Sequence, residues 1–263
     1  MAEGRRVRVG VQVAPALGDF ADVRRAALAA EELGADVLFG WDHFFPLGRA
    51  EERAGKHFEG WMTLASWAEA TSRVELGMLV SCVAYRNPDL LADMARTVDH
   101  ISGGRVVLGL GAGFRRFEYE AYGYEFGTAG ERVAQLAEAA RRVRGRLRVL
   151  NPPADVPLLL AANGPKALRV VAEHADRWHT FAAGDELTRA SRVVDDRCAE
   201  VGRDPAEIER SAFVRGDPSE VGPDYLARGV TTFVVLVEGP DFGMAEVRRW
   251  LGWRDRVNGG AGG

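Results

Sequence analysis

Residues 86–114, RNPDLLADMARTVDHISGGRVVLGLGAGF, decide the fold. Asn87 followed by Pro88 is a cap residue with proline at the first helical position. Leu91, Met94, Val98 and Ile101 then repeat at helical spacing up to Gly103 and Gly104. A short apolar run follows and ends in Gly109-Leu110-Gly111-Ala112-Gly113. Helix, tight turn, buried strand and glycine-rich exit make one unit of a parallel α/β fold.

The unit recurs. Eight short apolar runs, rich in β-branched residues, are expected as strands at 7–13, 35–41, 74–81, 106–110, 156–161, 176–180, 208–214 and 230–235. They are nearly continuous in hydrophobicity, as a sheet covered on both faces requires. The sixth is the weakest, being interrupted by Arg177. Between them lie amphipathic stretches. One begins at Asp19 and closes at Gly34; another opens with the capping-box spacing Thr128 to Glu131. Further stripes run through Leu168 and Val171, Leu187 to Val201, Tyr225 and Leu226, and Met244 to Leu251. Strict alternation predicts a single (β/α)8 TIM barrel over residues 1–257, with a disordered glycine-rich tail at 258–263. An open doubly wound sheet is the competing arrangement, but no GxGxxG follows the first strand. Two connections, 42–60 and 114–127, exceed ordinary loop length, and both follow a strand, which in a barrel is the catalytic end.

Composition narrows the function. With 34 basic and 38 acidic residues the net charge is −4, giving no electrostatic reason to expect nucleic acid. The arginines at 141, 142, 144, 146 and 148 crowd one helix end, where cations are favoured anyway. Cys82 and Cys198 support neither a disulfide framework nor a zinc site. The opening MAEGRRVRVGVQVAP has no apolar run long enough for a leader or membrane span, so a cytoplasmic location is expected.

Chemistry is expected at three strand exits. The second strand ends in Trp41-Asp42-His43-Phe44, placing a titratable histidine beside a carboxylate where barrel side chains converge. His57, in the same connection, reads as solvated. After the fourth strand, Gly109, Gly111 and Gly113 share one face and leave bare backbone, either for a flat ligand or merely to relieve crowding. After the fifth, Ala162-Asn163-Gly164-Pro165 opens a helix whose N–H groups suit an anion, unless Asn163 simply caps it. No metal spacing is evident among His100, His174 and His179.

Four segments together resemble the bacterial luciferase-like superfamily, and within it the oxidoreductases that use the deazaflavin coenzyme F420. They are EELGADVLFGWDHF, the run from LASWAEATSRVELG through GLGAGF, ANGPKALRVVAEHADRWHTF and CAEVGRDPAEIERS. The resemblance implies a barrel holding the cofactor at the strand carboxyl ends. It implies His43 as proton donor or acceptor, with Asp42 beside it. It further implies a non-prolyl cis peptide at Leu79-Val80 forming a bulge with Ser81 behind the reactive ring. The cofactor chain and phosphate would lie at Gly109, Gly111, Ala112 and Gly113 and at Ala162, Asn163 and Gly164. Sugar-phosphate dehydrogenases of this branch carry tryptophan and an acid where this chain has Leu47 and Phe114. A sugar phosphate is therefore not the expected substrate, and the acid role passes to another group, Glu118 or solvent. The segment before the fifth strand, 147–156, is also shortened. The expected activity is hydride transfer between F420 and a small organic substrate, with a homodimer left open as the assembly. The alternatives are an FMN-dependent monooxygenase or a flavin-binding protein without turnover.

Overall fold

The computed structural model describes residues 6–47 and 55–260. The strands are β1 (Arg8–Val13), β2 (Val37–Gly40), β3 (Glu75–Met78), β4 (Ser81–Cys82), β5 (Val106–Gly111), β6 (Leu158–Ala161), β7 (Arg177–Thr180), β8 (Glu209–Phe213) and β9 (Thr232–Val237). The helices are α1 (Phe20–Glu32), α2 (Gly60–Ala70), α3 (Pro88–Ser102), α4 (Arg116–Tyr122), α5 (Ala129–Leu150), α6 (Pro165–His174), α7 (Gly184–Glu200), α8 (Pro218–Ala227) and α9 (Ala245–Gly260). All pairings are parallel, and the sheet closes where β3 meets β5. Each expected strand is present, the third as two pieces. This is a closed (β/α)8 barrel.

The break in the third strand has a register signature. Gly77 pairs with Val107, but Ser81 pairs with Leu110, so four steps along one strand match three along its neighbour. The extra residue makes a bulge. The Leu79-Val80 peptide at its centre is cis, at the position implied by the family resemblance.

Alternation divides the core. Val37, Phe39, Leu79, Val107, Leu159 and Val234 fill the barrel, while Val9, Val11 and Val13 face the helices. The amino end of the barrel is closed by charge. Arg8 bonds Glu75 at 2.6 Å, and Arg177 bonds the same carboxylate at 2.6 Å. Glu209 lies 3.5 Å from each arginine. Arg177, which weakens the sixth strand as a pattern, is thus part of the plug. The arginine-rich end of α5 is tied down as well: Arg142 bonds Asp89, Arg146 bonds Asp93 and Arg144 bonds Asp176.

Three expectations change. Helix α2 carries no clean stripe because its outward face is itself partly apolar: Met62 is 71% exposed, opposite the buried Trp61, Leu64, Trp67 and Ala68. The connection 114–127 contains α4, a helix too short to show periodicity. The chain does not become disordered at 258: α9 continues to Gly260, and the Asn258 amide exchanges two 2.9 Å hydrogen bonds with the Val7 backbone. Residues 261–263 lie outside the described residues. No helix among the described residues is long and apolar enough to cross a membrane.

The glycines of β5 answer the crowding of the bulge. A Cβ on Gly109 would sit 1.9 Å from the Met78 carbonyl oxygen, and one on Gly111 would sit 2.4 Å from Val80 Cγ2. The space in front of these two positions is therefore filled by the neighbouring strand instead of lying open to a ligand. Gly109→Ala should cost more than about 2 kcal/mol in urea denaturation. Gly145→Ala, on the exposed face of α5 where a Cβ meets nothing within 4 Å, should instead add about 1 kcal/mol.

Candidate active site

His43 leaves β2 toward the barrel mouth, where its ring lies between two aromatic edges. Trp41 is T-shaped to it at 5.8 Å and Phe114 at 5.6 Å. Its Nδ1 is 2.9 Å from Glu118 Oε2. Glu118 projects from α4 and its side chain has 0% exposure, against 19% for His43. The same oxygen accepts from the Tyr85 hydroxyl at 3.2 Å, and Oε1 accepts from Arg115 at 2.9 Å. Burial alone would raise the Glu118 carboxyl, but the His43, Arg115 and Tyr85 donors hold it below its ordinary value. An ionised Glu118 fixes the proton on His43 Nδ1. The remaining nitrogen, Nε2, has no partner among the described residues and is left for a ligand.

An aromatic stack holds these loops together. Phe44 lies 4.3 Å from the Tyr85 ring and 3.9 Å from Tyr122, linking the β2 exit to the β4–α3 connection and to α4. Arg115 also covers the Phe117 ring at 4.5 Å. Glu118 thus reaches His43 only because Phe44, Tyr85 and Tyr122 pack face to face.

Asp42 does not act on His43. Its buried carboxylate accepts from Cys82 N at 3.0 Å and from Arg86 Nη1 at 2.6 Å, and Arg86 also bonds Glu59 at the start of α2 at 2.5 Å. Burial raises the Asp42 carboxyl against the pull of Arg86. Both residues follow the end of β2 at Gly40 and turn to different partners, so the pairing expected of these neighbours goes instead to Glu118. His57 is not solvated either. Its Nε2 accepts from Trp41 Nε1 at 3.1 Å, and burial lowers it to about 4.

The other expected residues spread over the mouth. The Leu79 carbonyl accepts from Gln12 Nε2 at 2.7 Å, and Ser81 Oγ accepts from Trp61 at 3.1 Å. Val80 and Ala112 are half-buried. Gly113 adopts φ +73° under Tyr119, where a Cβ would collide with the hydroxyl. At the β6 exit, Ala162 is buried, and Asn163 accepts from the Thr180 hydroxyl at 2.7 Å. Asn163 is therefore not the cap of α6. Gly164 occupies that position with no side-chain cap, and a Cβ there would meet nothing within 4 Å. No side chain caps the first N–H groups of α6, and the space beside Gly164 is open, an arrangement that suits an anion. His179, inside the barrel, bonds Ser211 at 3.0 Å while its buried Nε2 has no partner, and burial lowers it to about 3.

Tyr85, Arg115 and Gln12 carried no sequence signal, since each acts through a partner more than two residues away in the chain. Glu118 was named from the sequence as one candidate for the acid role, but its pairing with His43 Nδ1 had no local signal.

Residues 5–215 match the Luciferase-like monooxygenase family, and the chain belongs to it. The F420-dependent glucose-6-phosphate dehydrogenase of Amycolatopsis mediterranei is 33% identical over 175 residues, 59% of this chain and 50% of that protein. The phthiodiolone/phenolphthiodiolone dimycocerosates ketoreductase of Mycobacterium bovis is 30% identical over 232 residues, 73% of this chain and 60% of that protein. The chain thus spans about half the length of these relatives. An F420-dependent secondary alcohol dehydrogenase, solved with an F420-acetone adduct, shares the fold with a TM-score of 0.81 at 18% identity, over 95% of this chain and 99% of that one.

Two histidines that are neutral when folded must bind protons on unfolding. Their folded values, about 4 for His57 and about 3 for His179, lie below the ordinary 6.5. The unfolded chain therefore holds more protons below pH 6.5, and stability falls as pH drops from there toward 4. Urea titrations between pH 4 and 8 should show this slope, and His57→Gln should reduce it by up to about one proton.

Proposed function

We propose that this chain is an F420-dependent oxidoreductase that passes a hydride between the deazaflavin and a carbonyl or carbinol carbon of a small organic substrate. The observation that carries this reading is the His43–Glu118 pair at 2.9 Å, presented at the mouth of a luciferase-family barrel. The F420-dependent relatives support the choice of cofactor.

The residues fit such a cofactor. The open start of α6 at Gly164, with Ala162 and Asn163, would hold a phosphate, and the Leu79-Val80 bulge would back the ring. When bound, F420 supplies or accepts hydride at C5; that chemistry is the cofactor's own. The protein's part is the proton. For reduction, protonated His43 donates from Nε2 to the carbonyl oxygen as the carbon gains hydride; for oxidation the neutral ring takes the hydroxyl proton back. Glu118 stabilises the imidazolium and keeps Nε2 turned outward. Trp41, buried against His43, limits the water that reaches the ring.

Titration with F420, FMN and their reduced forms tests the cofactor. F420 should bind markedly more tightly than FMN, and reduced F420 should be oxidised by substrate without matching oxygen uptake. Tighter FMN binding with oxygen consumption would move the protein to the monooxygenase reading. Because Gly164 has an ordinary φ of −79° and open space around it, Gly164→Val should weaken F420 binding and leave the melting temperature within a few degrees.

His43→Ala should lower single-turnover hydride transfer roughly 10²–10⁴-fold and change F420 affinity little. Glu118→Gln should preserve binding and move the alkaline limb of the reduction rate to lower pH, because an amide has no charge with which to stabilise imidazolium. Near-parental turnover by His43→Ala would assign the proton to water.

A further inference from the structure

The side chain at the mouth with most to gain from a ligand is Phe114. It is 70% exposed, although its ring edge meets His43 at 5.6 Å. An aromatic ring left open beside the proton-transfer atom is ligand-binding surface, since pockets are lined by apolar groups around a few convergent polar atoms. Trp41 presents a second aromatic ring to His43. Among the described residues, the polar atom offered there is His43 Nε2.

Among the described residues, the guanidinium groups around this point are already hydrogen-bonded. Arg86 is bonded to Asp42 and Glu59, and Arg115 to Glu118 and the Phe45 carbonyl. Arg132 is bonded to the carbonyl oxygens of Gly113, Phe126 and Gly127. A substrate carboxylate or phosphate beside Phe114 would find no uncommitted guanidinium among these described residues, and would lie near the buried charge of Glu118. Such a group is strongly disfavoured. An uncharged ketone or secondary alcohol needs only one hydrogen bond, from its oxygen to Nε2, and can lay an aryl or branched alkyl group on Phe114.

We propose that Phe114 determines substrate class: the site takes uncharged ketones or secondary alcohols with an aromatic or bulky apolar substituent, and rejects α-keto acids and sugar phosphates. This rests on the F420 reading above. In reduction the C=O π bond breaks, hydride from reduced F420 forms the C–H bond, and the His43 proton forms the O–H bond.

The test compares acetophenone, pyruvate and glucose 6-phosphate on the parent protein, Phe114→Ala and Phe114→Leu. Three quantities are measured: turnover with the matching form of F420, F420 affinity by fluorescence, and ligand binding by saturation-transfer NMR. Acetophenone should be reduced, while neither anion turns over or competes with it. Phe114→Ala should raise the KM for acetophenone roughly tenfold with kcat and F420 affinity nearly unchanged, and Phe114→Leu should recover most of the loss. The proposal is overturned if either anion has a kcat/KM equal to or above that of acetophenone, or if Phe114→Ala leaves the acetophenone KM unchanged. It is overturned equally if F420 affinity falls by the same factor, because Phe114 then belongs to the cofactor. Failure of the protein to bind F420 sinks the activity reading instead. In that event the NMR arm on the bare protein still decides: acetophenone binding lost in Phe114→Ala upholds the substrate class, and binding that survives the substitution rejects it.

Discussion

A carboxylate with no solvent contact must find its donors inside the protein, and Glu118 organises the mouth of this barrel around that requirement. Left unmatched, its charge would cost several kcal/mol; with only one partner it would still be poorly satisfied. Arg115, Tyr85 and His43 meet the need from three different segments. The consequence for His43 is chemical. Its Nδ1 is committed to Glu118, and Nε2 is the nitrogen without a partner among the described residues.

The second requirement is that α4 be held where Glu118 can reach. Phe44 does this from the β2 exit by stacking on Tyr85 and Tyr122. Asp42, one residue before His43, performs a parallel task on the other side: its bonds to Arg86 and Cys82 N join the β2 exit to β4. Asp42 and His43 thus emerge side by side from the β2 exit yet meet separate partners, Arg86 and Cys82 N for one and Glu118 for the other. The bulge between β3 and β4 sets the remaining wall. Gln12 bonds the Leu79 carbonyl from across the barrel, and Gly109 and Gly111 yield the volume that the bulge needs.

Sequence pattern located much of this. The eight strands, the Asn87-Pro88 helix start, the Thr128–Glu131 capping box and the glycine turn at 103–104 are local features, each dictated by residues within one turn or one strand of each other. His43 was legible because a histidine at a strand exit stands at the catalytic end of any such barrel. The bulge at Leu79-Val80 was legible only through resemblance to a family. Helix α2 escaped because an apolar residue, Met62, stands on its exposed face and blurs the period, and α4 because it is too short to repeat.

What the sequence determined by itself is the alternation of strands and helices, and hence a closed parallel barrel with its chemistry at the carboxyl ends. Hydrophobic period and capping are short-range and survive as pattern in the chain. What only the tertiary structure decided is which acid meets His43, why Asp42 does not, what fills the space before the β5 glycines, and that α6 begins without a side-chain cap. Those outcomes depend on contacts between residues as far apart as His43 and Glu118. Such pairings follow from closing the barrel and packing its loops, and no local pattern encodes them.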